Sequence, residues 1–160
     1  MMGSTKSQKM MYYKWTSFEE IRMSDLEIKH HNGIATLTMN RPEARNALSL
    51  EMREELIQAL HDVEHDPGVR CVVLNGAGEH FMAGGDVKGM GQSINKPRAE
   101  IKKEFLLRIH DLHPIMFSMR RMPKPIIASC RGASAGAGVS IALACDLVIA
   151  SEDAFYTLAY

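Results

Sequence analysis

Two glycine-rich loops contain the residues of this sequence whose type and spacing could do chemistry. The first loop is residues 81–86, Phe-Met-Ala-Gly-Gly-Asp, and the second loop is residues 132–138, Gly-Ala-Ser-Ala-Gly-Ala-Gly, directly before a predicted helix. Glycine lets the backbone adopt positive φ and approach a ligand closely, and a helix start adds unpaired N–H donors and a positive dipole end. Both loops suit an oxygen atom that becomes negative, although either one alone could be a tight turn or a close helix–sheet contact.

Neither loop matches a nucleotide-binding fingerprint, because no Gly-Lys-Ser/Thr follows and the spacing is not Gly-x-Gly-x-x-Gly. The chain as a whole is electrically balanced, with 19 basic and 19 acidic residues. It therefore has no global field that would draw it to nucleic acid or anionic lipid. The sequence predicts that any bound anion is held locally, and it predicts neither a nucleic-acid partner nor a membrane partner.

The cysteines and the chain start predict a cytoplasmic protein. Cys71, Cys130 and Cys145 lie in apolar runs without metal-ligand spacing, which indicates buried free thiols of a reducing compartment. No apolar stretch has the length of a membrane span, and the start lacks the apolar core of a secretory signal. Residues 1–22 are polar and methionine-rich and are predicted to be a leader or disordered tail, with an organelle transit peptide or a start at Met23 as alternatives. Residues 23–160 form the predicted domain.

The elements that must position the two loops alternate between strands and helices. Asn32-Gly33 predicts a β-hairpin between strands at 26–30 and 34–39, because both residues tolerate positive φ. Ser49 can cap a helix that ends before Asp66. Further predictions are strands at 69–74, 126–130 and 147–150, a turn at 75–78, a helix over 101–119 that Pro114 kinks or splits, and a tightly packed helix over 136–145. Such strand-helix-strand crossovers require a mostly parallel sheet, so the predicted fold class is α/β.

Five segments together resemble the crotonase (enoyl-CoA hydratase/isomerase) superfamily in their order and spacing. They are residues 40–48 (Asn-Arg-Pro-Glu-Ala-Arg-Asn-Ala-Leu), 81–86, 123–125 (Pro-Lys-Pro), 132–138 and 144–146 (Ala-Cys-Asp). The similarity runs from Leu26 to the last residue. It implies the family's spiral of β-β-α turns with mostly parallel sheets. It also identifies residues 23–160 as the amino-terminal part of such a domain, with the carboxy-terminal helical part missing.

The resemblance implies a CoA thioester whose carbonyl oxygen lies between the backbone N–H groups of Gly85 and Ala137. Charge moves onto that oxygen when a proton leaves the α-carbon or a nucleophile adds at the β-carbon, and fixed donors stabilise the resulting enolate. The family's remaining substrate contacts, along the pantetheine, the nucleotide and the adenine, fall at Glu43, Ala44, Arg45, Ala47, Ala83, Gly84, Asp86, Val87, Lys88 and Gly136. Lys88 and Arg45 could pair with CoA phosphates or be solvated surface charges, and Asp86 is predicted as a helix cap. No cofactor is implied beyond the coenzyme A of the substrate.

The chain departs from the family's hydratases at the two positions where those enzymes carry glutamates. These positions align with Ser140 and Tyr160, which the resemblance therefore places at the substrate, with Ser140 at the catalytic position, although neither side chain can act as a carboxylate base. Ser140 follows Ala137 by three residues, so it lies on the same face of the predicted helix. Family members with a small residue at the first position often carry their carboxylate later in the chain, and these are largely isomerases. The resemblance therefore favours an acyl-CoA isomerase or related lyase that forms a homotrimer or hexamer when complete.

Other activities stay open at this point. A hydratase could position its water with other groups, a non-catalytic acyl-CoA-binding or scaffold protein could keep the fold without the acid, and a serine hydrolase of related fold could use Ser134 or Ser140. His61 and His65 lie one helical turn apart, a spacing found in metal sites, but they lie opposite the apolar stripe of their helix. This arrangement favours a solvated face, and the sequence predicts no metal site.

Overall fold

The computed structural model describes residues 24–88 and 96–158. The predicted leader or tail at residues 1–22 and the predicted site residue Tyr160 lie outside the described residues. A short 3₁₀-helix, Pro42–Ala44, follows the first two strands. The other elements in chain order are β1 Leu26–His31, β2 Ile34–Met39, α1 Leu50–His65, β3 Cys71–Gly76, α2 Arg98–His110, α3 His113–Arg121, β4 Ile126–Cys130, β5 Ala133–Ala135, α4 Ala137–Ala144, β6 Leu147–Ala150 and β7 Phe155–Thr157.

The main sheet has five strands in the order β1-β2-β3-β4-β6, and β5 pairs with β7 in a separate two-stranded sheet. β1 and β2 are antiparallel, whereas the other neighbouring pairs of the main sheet are parallel. Parallel neighbours need long crossover connections, and here α1, the pair α2 and α3, and α4 provide them. The predicted α/β class with a mostly parallel sheet is therefore confirmed.

The amino-terminal hairpin forms as the Asn-Gly pair predicts. Asn32 and Gly33 have φ angles of 49° and 80°, the left-handed conformation that a tight turn between two strands requires. The pairing runs from His31 opposite Ile34 at the turn to Leu26 opposite Met39 at the open end. The hairpin thus brings Met39 and the segment after it to the edge where the first loop lies.

Helix α1 begins and ends where the sequence predicts. The Ser49 side chain accepts a hydrogen bond from the Met52 N–H, so it satisfies one of the unpaired donors of the first turn. At the other end, Lys124 Nζ donates to the carbonyl oxygens of Val63 and Asp66. The buried face contains Met52, Leu56, Ala59, Leu60 and Val63, the same residues that recur at helical spacing in the sequence.

Both predicted ends of β3 are wrong. β3 begins at Cys71 rather than at residue 69, and it continues through Asn75 and Gly76, where the sequence predicts a turn. Parallel pairing with β2 places Gly76 opposite Met39, and a side chain at Gly76 would overlap the backbone of residues 80 and 81. Tertiary packing therefore overrides the local turn preference, and the turn follows at residues 78–79. The helix predicted over residues 101–119 is split into α2 and α3, one of the two outcomes predicted for Pro114, which lies in the first turn of α3, where its missing N–H is tolerated.

A further difference is β5, a strand that lies inside the second glycine-rich loop. Its residues are Ala133, Ser134 and Ala135, whose small side chains carry little strand preference, so the sequence predicts only a loop there. β6 and β7 are formed as strands, and their apolar side chains are largely exposed. Within residues 24–88 and 96–158, no helix is long and apolar enough to cross a membrane.

Candidate active site

The first loop is held against the segment before α1 by a parallel bridge between Leu48 and Gly85. The Leu48 N–H donates to the Gly84 carbonyl at 2.7 Å, and the Asp86 N–H donates to the Leu48 carbonyl at 3.2 Å. In a parallel bridge one residue bonds to the two neighbours of its partner. The N–H and C=O of Gly85 are therefore directed away from Leu48, toward the other side of the loop.

The second loop is held against the first loop by another parallel bridge, between Met82 and Ser134. The Met82 N–H donates to the Ala133 carbonyl at 3.1 Å, and the Ala135 N–H donates to the Met82 carbonyl at 2.9 Å. On its other side, β5 pairs with β7, and the Gly136 N–H donates to the Thr157 carbonyl at 3.0 Å. The second loop thus lies between the first loop and β7.

Glycines allow the two loops to approach closely. Gly84 has a φ of 100°, and a Cβ atom placed on it would lie 3.1 Å from the Ala135 carbonyl oxygen and 3.8 Å from the Ala137 amide nitrogen. A Cβ on Gly138 would overlap the Met82 carbonyl oxygen and lie 2.9 Å from the Met82 side chain. This close approach places Gly84 directly beside the start of α4.

The amide groups of Gly85 and Ala137 have no acceptor among the hydrogen bonds of residues 24–88 and 96–158. Ala137 is the first residue of α4, and N–H groups of the first helical turn have no partner within their own helix. The N–H groups of Val139 and Ser140 already donate to the Gly136 carbonyl. Gly85 and Ala137 are both half-buried. Their N–H groups are thus available donors on adjacent loops, and α4 adds its positive dipole end at Ala137.

The two serines of this region lie in different surroundings. Ser140 lies one turn after Ala137 on α4 and is exposed. Ser134 lies on β5 with no exposed surface, and its Oγ has no hydrogen-bond partner within the part of the chain that the structure describes. Neither serine hydrogen-bonds to a histidine or an acid there, so neither has the base that activates a serine nucleophile.

The segment after β2 contacts the first loop through its backbone. Arg45 and Asn46 have φ angles of 51° and 56°, and the Arg45 carbonyl accepts a hydrogen bond from the Ala83 N–H at 2.9 Å. Asn46 is fully buried. Its Nδ2 donates to the Ala77 and His80 carbonyls at 2.9 and 2.8 Å, and its Oδ1 accepts from the Arg41 N–H at 2.9 Å. One asparagine side chain therefore connects this segment to the turn that precedes the first loop.

A group of three charged side chains and one hydroxyl, which we call the Arg41 network, lies beside the first loop and consists of Arg41, Asp25, Asp86 and Ser49. Arg41 Nη1 donates to the Ala47 carbonyl at 2.7 Å and to Asp86 Oδ2 at 3.1 Å, and Arg41 Nε lies 3.4 Å from Asp25 Oδ2. The Ser49 hydroxyl donates to Asp25 Oδ2 at 2.5 Å. The sequence indicates Arg41 and Asn46 only as parts of a motif, and it assigns Asp86 to a helix cap.

The remaining predicted site residues lie around this centre. Ala47 and Ala83 to Asp86 are joined to it by the backbone contacts described above, whereas Glu43, Arg45, Val87 and Lys88 are exposed at its rim. Their contacts with coenzyme A stay predictions. His61 and His65 lie on the solvated face of α1, with ring centroids 4.4 Å apart. Among the described residues, no three His, Cys, Asp or Glu side chains are placed to hold a metal ion.

Two groups near the second loop remain protonated at neutral pH. Burial raises the pKa of the Cys145 thiol to about 12. Burial, together with a hydrogen bond to Cys130, likewise raises the pKa of Tyr156 to about 12. At neutral pH a thiol with such a pKa carries almost no thiolate, and a phenol with such a pKa carries almost no phenolate. We therefore assign neither residue a role in proton transfer.

The fold and these loops define an α/β protein that presents two backbone amides from neighbouring glycine-rich loops. Residues 29–160 match the family model described as enoyl-CoA hydratase/isomerase. The chain therefore belongs to the enoyl-CoA hydratase/isomerase family, as the five sequence segments predict.

Relatives and solved structures agree with this assignment. The chain is 34% identical to the 1,2-epoxyphenylacetyl-CoA isomerase of Escherichia coli, over 86% of this chain and 52% of that protein. It is 36% identical to the trans-2-decenoyl-[acyl-carrier-protein] isomerase of Streptococcus mutans, over 81% of this chain and 48% of that protein. The crystal structure of an enoyl-CoA hydratase from Polaromonas sp. JS666 covers 83% of this chain with a TM-score of 0.74 and 36% identity. The chain spans about half the length of these relatives, 48–52%.

Proposed function

We propose that the protein binds an acyl-CoA thioester and stabilises an enolate of that thioester between the backbone N–H groups of Gly85 and Ala137. One observation carries the proposal: in a chain of this family, these two amides lie on adjacent loops and have no acceptor among the described residues. Fixed donors aimed at a developing oxyanion are worth several kcal/mol of barrier, because they need no reorganisation during the reaction. In this proposal the oxyanion is the thioester oxygen of the acyl-CoA substrate.

The reaction that we propose is an isomerisation, or a related lyase reaction, rather than hydration of a double bond. Ser140 is exposed on α4, three residues after Ala137. Its hydroxyl group cannot replace a carboxylate as the base that activates water. Tyr160, the second position, is a phenol in the sequence. Similar proteins include two named as isomerases and one structure named as a hydratase, so the choice rests on Ser140 and Tyr160. Within this proposal no cofactor is needed beyond coenzyme A, and the complete protein forms a homotrimer or hexamer.

Two substrates separate the reactions. A 3-enoyl-CoA becomes conjugated when it is isomerised to a 2-enoyl-CoA, so its absorbance rises, whereas crotonyl-CoA loses absorbance when it is hydrated. We expect the complete protein to isomerise the 3-enoyl-CoA and the 160-residue chain to leave crotonyl-CoA unchanged. Rapid hydration by the 160-residue chain would show that another group supplies the proton transfer. An absence of any binding heat with several CoA thioesters at millimolar concentration would overturn the assignment of the ligand class.

A proline substitution tests the donor itself. Ala137 is the first residue of α4, a position where proline fits the helix but removes the N–H group. We expect Ala137→Pro to lower kcat by about 10²- to 10³-fold, because one oxyanion donor is lost. Ala137→Ser keeps the N–H group and serves as the matched control with much of its activity intact. If folded Ala137→Pro protein turned over like the unsubstituted protein, Ala137 would not be the donor.

A further inference from the structure

We infer that Arg41 is a positioning residue that fixes the direction of the Gly85 amide N–H. This inference rests on the proposed function, in which the Gly85 amide binds the thioester oxygen. Arg41 lies 44 positions before Gly85 in the sequence, and no hydrogen bond joins the two residues in the part of the chain that the structure describes. Its guanidinium instead donates to Ala47 and Asp86, which lie next to the two members of the Leu48–Gly85 bridge.

The contacts form a continuous path to the Gly85 peptide. Arg41 Nη1 donates to the Ala47 carbonyl at 2.7 Å and to the Asp86 carboxylate at 3.1 Å. Ala47 precedes Leu48, whose N–H and C=O bond to the residues on either side of Gly85. Asp86 directly follows Gly85. One nitrogen atom therefore bonds to both strands of the Leu48–Gly85 bridge, at the point where the direction of the Gly85 N–H is determined.

The opposite edge of the guanidinium is anchored to rigid structure. Arg41 Nε lies 3.4 Å from Asp25 Oδ2, which also accepts from the Ser49 hydroxyl at 2.5 Å. Ser49 is the N-cap of α1, so the path ends on the start of a sixteen-residue helix. The Arg41 guanidinium is therefore held on two sides and has little freedom to move. The Arg41 network thus fixes the first loop relative to the start of α1.

Burial makes these ion pairs stronger than surface pairs. The side chains of Arg41, Asp25 and Asp86 expose 19, 10 and 21% of their area. Water therefore screens the charges little, and the guanidinium gives both carboxylates a positive counter-charge. Lysine cannot replace the planar fork, because its ammonium group is a single point that cannot reach the carboxylates on two sides and the Ala47 carbonyl together.

The chain contains a matched control in Arg53. Arg53 is also buried, with its side chain 9% exposed, and its Nη1 pairs with Asp111 at 3.1 Å. That pair joins α1 to the residue after α2 and contacts neither loop. Arg53→Lys therefore changes a buried arginine, paired with an exposed aspartate, in the same molecule without touching the path to Gly85.

The test compares Arg41→Lys, Asp86→Asn and Arg53→Lys in the complete protein. With a conjugated CoA thioester we expect Arg41→Lys to lower kcat by about 100-fold, since small displacements of a reacting geometry have effects of that size. The dissociation constant should change little, because the remaining substrate contacts are kept. The red shift of the bound thioester, which reports polarisation of its carbonyl, should shrink in Arg41→Lys and in Asp86→Asn. Arg53→Lys should keep both the red shift and kcat.

A second measurement keeps the inference testable whether or not the protein turns over a thioester. In ¹⁵N NMR spectra of the ligand-free protein, Arg41→Lys should shift or broaden the Gly85 amide signal and leave the Ala137 signal in place. An unmoved Gly85 signal would overturn the inference, as would equal losses of kcat in Arg41→Lys and Arg53→Lys. If Arg41→Lys does not fold, Asp86→Asn decides by the same criteria. Failure of the unsubstituted protein to bind any CoA thioester would instead remove the proposed function.

Discussion

The two loops of the candidate site present the same chemical group, a backbone N–H, but they are held in different ways. The first loop is held by side chains. Asn46 bonds to the turn before the loop, and Arg41 bonds to Ala47 and Asp86. The second loop is held by backbone hydrogen bonds to Met82 and β7 and by glycines that permit close contact. One site therefore has two kinds of sensitivity, to the loss of a polar side chain on one side and to the gain of a methyl group on the other.

The largest effect is expected where the first loop depends on a single side chain. Asn46→Ala should lower the free energy of unfolding by about 4 kcal/mol, because three partly buried backbone groups lose their partner and alanine is strained at a φ of 56°. Urea unfolding followed by circular dichroism measures the change. Asn46→Gly removes the same hydrogen bonds but tolerates the φ, so it should cost about 1 kcal/mol less. A cost below about 1 kcal/mol for Asn46→Ala would remove the contrast between the loops.

The second loop should respond most to added volume. Gly138→Ala is expected to lower the free energy of unfolding by about 3 kcal/mol, because the new methyl group would overlap the buried Met82 backbone, which cannot move without breaking the bridge to Ser134. Gly68→Ala is the matched control, since Gly68 is exposed and its nearest neighbour is the side chain of Asp66 at 3.1 Å. Thermal unfolding of the two variants provides the comparison. Equal stability of both would show that the second loop has room for a side chain.

The different supports explain how much of this molecule could be predicted from sequence. Hairpin, α1, β4 and β6 follow from local signals, because Asn-Gly, the Ser49 cap and the apolar periodicities act over a few residues. The end of β3 at Asn75 and Gly76 does not follow from local signals, because pairing with β2 overrides the turn preference of these two residues. β5 could not be predicted either, because it consists of small residues. They form a strand only because they pair with Met82 on one side and with β7 on the other.

The candidate site divides along the same line. Both glycine-rich loops and the start of α4 could be predicted, because glycine and a helix start carry recognisable backbone properties. The family contacts at residues 43–47 and 83–88 came from the resemblance and stay predictions. The Arg41 network could not be predicted, because its members Asp25, Arg41 and Asp86 are far apart in sequence and an isolated charge reads as a surface group. Only their burial in the fold reveals the pairing.

A smaller effect is expected at the helix end of the Arg41 network. Ser49→Ala should cost about 2 kcal/mol of unfolding free energy, because α1 loses its N-cap and buried Asp25 loses one hydrogen-bond donor. Ser49→Thr keeps the hydroxyl group and should recover most of the loss. Urea midpoints of the two variants measure the difference. If Ser49→Ala were neutral, α1 would not serve as the fixed end of the network, and the first loop would depend on Asn46 alone.

The smallest effect should come from the other buried serine, Ser134, and it should have the opposite sign. Its Oγ is fully buried on β5 and has no hydrogen-bond partner in the part of the chain that the structure describes, whereas the Ser49 hydroxyl both donates and accepts. Removing an unpaired buried hydroxyl relieves its desolvation penalty, so Ser134→Ala should be neutral or stabilising by up to about 1 kcal/mol. Ser129→Ala on exposed β4 surface controls for the change in strand preference.

The Ser134 variant also separates the two ways of holding a loop. The second loop is kept in place by backbone atoms, which a serine-to-alanine change leaves intact, so both the unfolding midpoint and the turnover of a CoA thioester should persist in Ser134→Ala. Retained turnover would also exclude Ser134 as a hydrolytic nucleophile, a role that its lack of exposed surface already disfavours. A loss of more than about 1.5 kcal/mol would mean that the hydroxyl has a partner such as a buried water. The second loop would then rely on a side chain just as the first loop does.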